Sequence, residues 1–187
     1  MKKLLIFAFI IVLISCKKND TTTVDDAVNE IKETTAIAAK EGTGKVILTC
    51  NGKEIVTDGV CGALVKMGSF MVAVKDKTNP AKVFTITFND ENKPEDGKIY
   101  KIKSKDYSQE GKAPSDEITV GFTEVVSNSK MNNWGSDDAK GKLQFNYSGN
   151  EIKCIIKDVT LTPSEMYNAD DLKANANVTG ELTFYKN

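Results

Sequence analysis

The chain has 187 residues, with 25 cationic side chains, all lysine, against 26 acidic ones and a net charge of −1. Histidine is absent, which removes Ser-His-Asp and Cys-His nucleophile pairs and the commonest metal ligand. Arginine is absent too, so bidentate guanidinium recognition of phosphate is unavailable, and without a basic stripe no nucleic-acid partner is expected.

In chain order, Lys2 and Lys3 precede an apolar run from Leu4 to Ile14. That run is too short to span a bilayer as a stable helix and suits a secretory leader. Ser15 then stands directly before Cys16, and Leu13-Ile14-Ser15-Cys16 resembles the lipobox of bacterial lipoproteins. The resemblance implies cleavage before Cys16, lipid modification of that cysteine, and attachment to the cell outer membrane, facing either the surface or the periplasm. With its lysine-only, asparagine-rich usage the chain is similar to the small β-sandwich lipoproteins of the Bacteroidota envelope. Lys17, Asn19 and Asp20 resemble the export tags of surface-exposed members, and Asp20-Thr21-Thr22 resembles their O-glycosylation tripeptide.

Residues 1–15 are therefore expected as a signal peptide, 16–43 as anchor and tether, and 44–187 as one β-domain. In the tether, Val24, Val28 and Ile31 fall at helical spacing, and Thr23 with Asp26 fits a capping-box-like start. The apolar face is thin, so a partly helical, solvated tether competes with a docked helix.

From Gly44 the pattern turns to strands. Lys45–Cys50 and Lys53–Thr57 flank Asn51-Gly52, a strong hairpin signal, and Asp58-Gly59 reads as a further turn. Runs follow at Leu64–Val74, broken at Gly68-Ser69, and at Val83–Phe88, Lys98–Ser104 and Glu117–Val126. Lys142–Tyr147, Glu151–Leu161 and Val178–Tyr185 complete them. Alternation assigns Phe84, Ile86 and Phe88, then Ile118, Val120 and Phe122, to the core. Eight to ten short strands with closely spaced turns predict an all-β domain, a single antiparallel β-sandwich or a small barrel. A short helix is expected from Ser164 to about Lys173, with Ser164 as N-cap.

Besides Cys16 there are Cys50, Cys61 and Cys154, and an oxidising envelope permits a disulfide. Cys50–Cys61 is the first choice because the Asn51-Gly52 turn folds the segment back; Cys50–Cys154 is its rival. No metal site or cofactor is expected: Asn89–Asn92, Asp137-Asp138 and Asp170-Asp171 lack calcium-loop spacing and read as solvated turns. Ser127-Asn128-Ser129-Lys130 matches Ser-x-x-Lys only superficially. Trp134, the sole tryptophan, is read as lying in a polar loop with Asn133 and Asp137; with Tyr107 from another loop it forms a candidate glycan-stacking site. The alternative for Trp134 is a plug at one end of the β-domain.

The resulting expectation is a non-enzymatic, membrane-anchored binding or structural module with a glycan or protein partner. Two alternatives stand beside it: a lipocalin-like carrier of a small hydrophobic ligand, and a carboxylate-dependent hydrolase of envelope glycans. Filling of the apolar faces by Phe, Ile and Leu favours a packed interior over a cup.

Overall fold

The computed structural model describes residues 41–103, 114–127, 130–168 and 172–186, without the side chains of 137–139. The expected signal peptide, Cys16 and residues 17–40 of the expected tether lie outside these residues, as does Tyr107, while Gly42 and Thr43, expected in the tether, already belong to the first strand. Among the described residues ten strands follow in order: β1 Gly42–Cys50, β2 Lys53–Lys66, β3 Ser69–Asp76, β4 Lys82–Phe88, β5 Ile99–Ile102, β6 Glu117–Ser127, β7 Lys130–Lys140, β8 Lys142–Ser148, β9 Glu151–Asn168 and β10 Ala176–Tyr185.

They form one closed barrel. β1 to β4 pair in succession, β4 pairs with β6 and β6 with β7, while β9 pairs with β10 and β10 returns to β1. β7 and β8 are separated only by Gly141 and both pair with β9, so together they act as one long, bent wall. Counted this way, β1, β2, β3, β4, β6, β7–β8, β9 and β10 make an eight-membered up-and-down ring. β5 is an insert, parallel to β6 and antiparallel to β8, that widens the wall at one end. Closure leaves the ring without free edges, the usual liability of a sheet.

The period of two along each strand sends alternate side chains inward. Val46, Leu48 and Cys50 of β1 and Phe84, Ile86 and Phe88 of β4 are all at most 3 % exposed. On β9 the inward set is Ile152, Cys154 and Ile156, then Val159 and Leu161, which differs in parity. A bulge resolves this. Val178 of β10 faces Val159 and Gly180 faces Ile156, so β9 carries one extra residue, with Asp158 at φ 54°.

The upper end of the barrel carries the Asn51-Gly52 turn, residues 77–81 and residues 172–175. The lower end carries the start of β1, the Met67-Gly68 turn, residues 89–98 and the Gly149-Asn150 turn. Asn51 and Gly52 both have positive φ, at 49° and 76°, as a tight two-residue hairpin requires.

Three expectations are corrected. Asp58-Gly59 is not a turn but lies within β2, where Gly59 faces Asp76 of β3. Ser164–Asn168 is not helical: it continues β9, and Pro163 is accommodated because β10 stops pairing at Leu161, so no donor is required on that side. The polar stretch around Trp134 is the strand β7, not a loop.

Candidate functional site

Two closures and a lumen make up the candidate site. At the upper end, Trp134 projects inward from β7 and is 0 % exposed. Its ring meets Phe122 edge-on at 6.1 Å, and its indole N–H donates to the Ala174 carbonyl at 3.3 Å. The Cys50 thiol donates to the same carbonyl at 3.4 Å. With Leu172 and Ala176 also buried, residues 172–176 close the barrel over the tryptophan.

That arrangement separates the residues expected to stack a glycan. Asn133 is half-buried and next to Trp134 in sequence, so it points to the opposite face of β7. Asp137 belongs to β7 by its backbone, while its side chain, like Tyr107, lies outside the described residues. The indole presents no face to solvent, and its position is the plug of the upper end.

The lower end is closed by aromatics. Phe88 contacts Phe70, Tyr100 and Phe145 at 5.6, 5.1 and 5.4 Å between ring centres, and Phe145 reaches Phe184 at 6.3 Å. Residues 89–98 are fastened beneath them. The Glu95 N–H donates to the Tyr100 hydroxyl at 2.8 Å, the Tyr147 hydroxyl donates to the Pro94 carbonyl, and the Tyr147 N–H donates to Asp96 at 2.8 Å. Burial pushes the Tyr100 phenol above its ordinary value, more than its hydrogen bond with Glu95 and the nearby Lys98 lower it. A recess of about 720 Å³ beside Tyr100 gathers Asp90, Glu91 and Glu95. Two of these have structural partners: Asp90 accepts from the Asn92 N–H at 2.9 Å, and Glu95 pairs with Lys98. Among the described residues no three His, Cys, Asp or Glu side chains converge to hold a metal.

The expected disulfide is corrected. Cys50, Cys61 and Cys154 are all free and buried. The tight turn itself separates the favoured pair. It sets Cys50 opposite Lys53, while Cys61 lies opposite Gly42 at the other end of the β1–β2 hairpin. Eight strand residues separate those levels, about 26 Å at ~3.3 Å per residue, far beyond a bridge. Cys154 sits in the register of Phe145 and Leu182, toward the lower half. Burial pushes its thiol up to about 12, and pushes Cys61 up further, with Cys154 adding to the effect.

Polar groups that face inward are informative because few exist. The Ser136 hydroxyl donates to the Val120 carbonyl at 2.8 Å and accepts the Val120 N–H at 2.5 Å, taking the place of a ladder partner where β7 is irregular. Asp76, 6 % exposed at the top of β3, accepts from the N–H groups of Asp58, Thr78 and Asn79 and from the Thr78 hydroxyl. Burial alone would raise its pKa, but these hydrogen bonds outweigh it and hold the carboxyl well below the usual range. Thr57 is different: it is 0 % exposed and its Oγ1 has no hydrogen-bond partner among the described residues. Sequence reading singled out none of these three, since each looks like an ordinary strand or turn residue until its neighbours are known. No family model, curated protein or solved structure matches this chain, so the barrel and its inward-facing polar groups are the basis for reading its function.

Proposed function

We propose that the protein is a lipocalin-like carrier that takes a small apolar ligand into its barrel, held at the outer membrane through a lipidated Cys16. The observation that supports this reading is the closed eight-membered meander around an apolar lumen, an architecture whose interior is wide enough for side chains or for one small ligand. Side chains fill the lumen in this conformation, with Trp134, Phe84, Phe122, Phe145 and Phe184 all under 2 % exposed. Uptake therefore requires one closure to move. The upper one is taken as the route, because residues 172–175 lie between strands and both the Trp134 indole and the Cys50 thiol reach them at the Ala174 carbonyl. Anchoring rests on Leu13-Ile14-Ser15-Cys16 and on nothing in the barrel.

The same near-zero exposures favour a second reading, a packed scaffold that acts as a non-enzymatic binding module through its outer surface. One measurement separates the two: the mass of protein purified from its own membranes, with the tether cleaved, under native and then denaturing conditions. Extra mass in the native spectrum alone is the carrier's signature. Identical masses overturn it and leave the packed scaffold.

A further inference from the structure

Thr57 lies on the inward face of β2 between Ile55 and Cys61, opposite Val46 of β1. Its hydroxyl is fully buried without a partner among the described residues, and valine would fill the same shape. An unpaired buried hydroxyl costs ~1–3 kcal/mol, so its presence in an apolar lumen calls for an occupant that pairs with it. Its position is also fixed on both sides. The Asp58 N–H donates to Asp76 at 3.0 Å, and Lys82 Nζ donates to the Val56 carbonyl at 2.8 Å. The backbone on either side of Thr57 is therefore held in place within the barrel wall.

We infer that Thr57 is the contact for the head group of a neutral amphiphile, an apolar chain ending in one alcohol, ester or amide group; this rests on the carrier reading. Neutrality follows from the surrounding charges. Two cations lie beside this stretch of β2 and both are engaged: Lys82 is bonded to Val56 and lies 3.9 Å from Asp76, and Lys77 pairs with Asp58 at 2.9 Å. A carboxylate head would meet the Asp76 charge while Lys82 and Lys77 are already paired, and an ammonium would lose its water for one hydroxyl.

The test uses the chain from residue 16 with Cys16→Ser, which keeps every strand and carries no competing acyl chain. Trp134 fluorescence reports uptake from within the lumen. Dodecan-1-ol, dodecane and dodecanoate are the probes, against this protein and its Thr57→Val and Thr57→Ser variants. The expected result is that the alcohol binds about fivefold or more tighter than dodecane, since one neutral hydrogen bond distinguishes them. Thr57→Val erases that preference and leaves dodecane unchanged, while Thr57→Ser retains it. Equal affinities for alcohol and alkane overturn the inference and leave the carrier standing, as does dodecanoate binding as tightly as the alcohol. Uptake of no probe by any of the proteins overturns the carrier reading and the inference with it.

Discussion

The Trp134 indole and the Ala174 carbonyl meet at 3.3 Å across the upper mouth of the barrel, joining β7 to the segment that leads into β10. Trp134 is thus both a core residue, against Phe122, and a latch. Two substitutions separate the roles. Trp134→Ala leaves a cavity and is expected to cost about 3–5 kcal/mol. Trp134→Phe keeps most of the apolar volume but loses the N–H, for about 1 kcal/mol. Urea denaturation followed by circular dichroism reads both; equal losses would show that the hydrogen bond, not the ring, dominates.

Asp76 ties the 77–81 connection to β2, and its pKa is held low by the donors around it. A group whose folded pKa is depressed contributes stability above its unfolded value, near 4, and loses it as pH falls toward the folded value. The protein should therefore lose stability progressively on acidification below about pH 4 through this residue. Asp76→Asn turns an amide N–H₂ toward donors and is expected to cost about 1–3 kcal/mol at neutral pH. Its penalty should shrink on acidification, so that variant and parent converge. Denaturation midpoints from pH 7 to pH 2 check this, and a gap that stays constant would remove Asp76 from the acid response.

Two glycines of β1–β2 act for different reasons. Gly52 needs its positive φ of 76° but has open space around it, so Gly52→Ala should cost about 1–2 kcal/mol of backbone strain. At Gly59 a Cβ would fall 2.1 Å from the Lys75 carbonyl oxygen, backbone that has no room to yield. Gly59→Ala should therefore cost about 3 kcal/mol or more, at the upper end of overpacking penalties. Thermal unfolding of the two variants gives the order directly.

The same pair shows what the sequence makes legible. Asn51-Gly52 announces its turn because the left-handed backbone selects those residues locally. Gly59 looks identical in sequence, yet its cause is the close approach of β3, a contact seventeen residues away in the chain. Strands such as Val83–Phe88 and Glu117–Val126 are readable because one face is continuously apolar. β7 is not: Asn132 and Ser136 flank Trp134 on the inward face and resemble loop residues. They are tolerated there because Glu124 lies 3.5 Å from Asn132 and Val120 satisfies Ser136. Barrel closure, which decides between sandwich and barrel, depends on β10 meeting β1 across the whole domain and leaves no local mark.

The thiols of the barrel provide the last prediction. Cys50, Cys61 and Cys154 are each at most 1 % exposed, and burial raises Cys61 and Cys154 far above the range where a thiolate forms at neutral pH. Alkylation requires both access and thiolate, so the native protein should take up no iodoacetamide at these positions over hours at pH 8. After unfolding in guanidinium without reductant, all three should react, and peptide masses should show each as a separate adduct. Two unreactive cysteines under those conditions would mean a bond has formed. The hairpin register places Cys50 and Cys61 too far apart for it to be theirs without β1 and β2 separating. Cys50 should be the first of the three to react as denaturant is raised, because its thiol is hydrogen-bonded to Ala174, in the segment proposed to open for the ligand. If Cys61 or Cys154 reacts first, the barrel opens from its lower end, and the route proposed for the ligand is wrong.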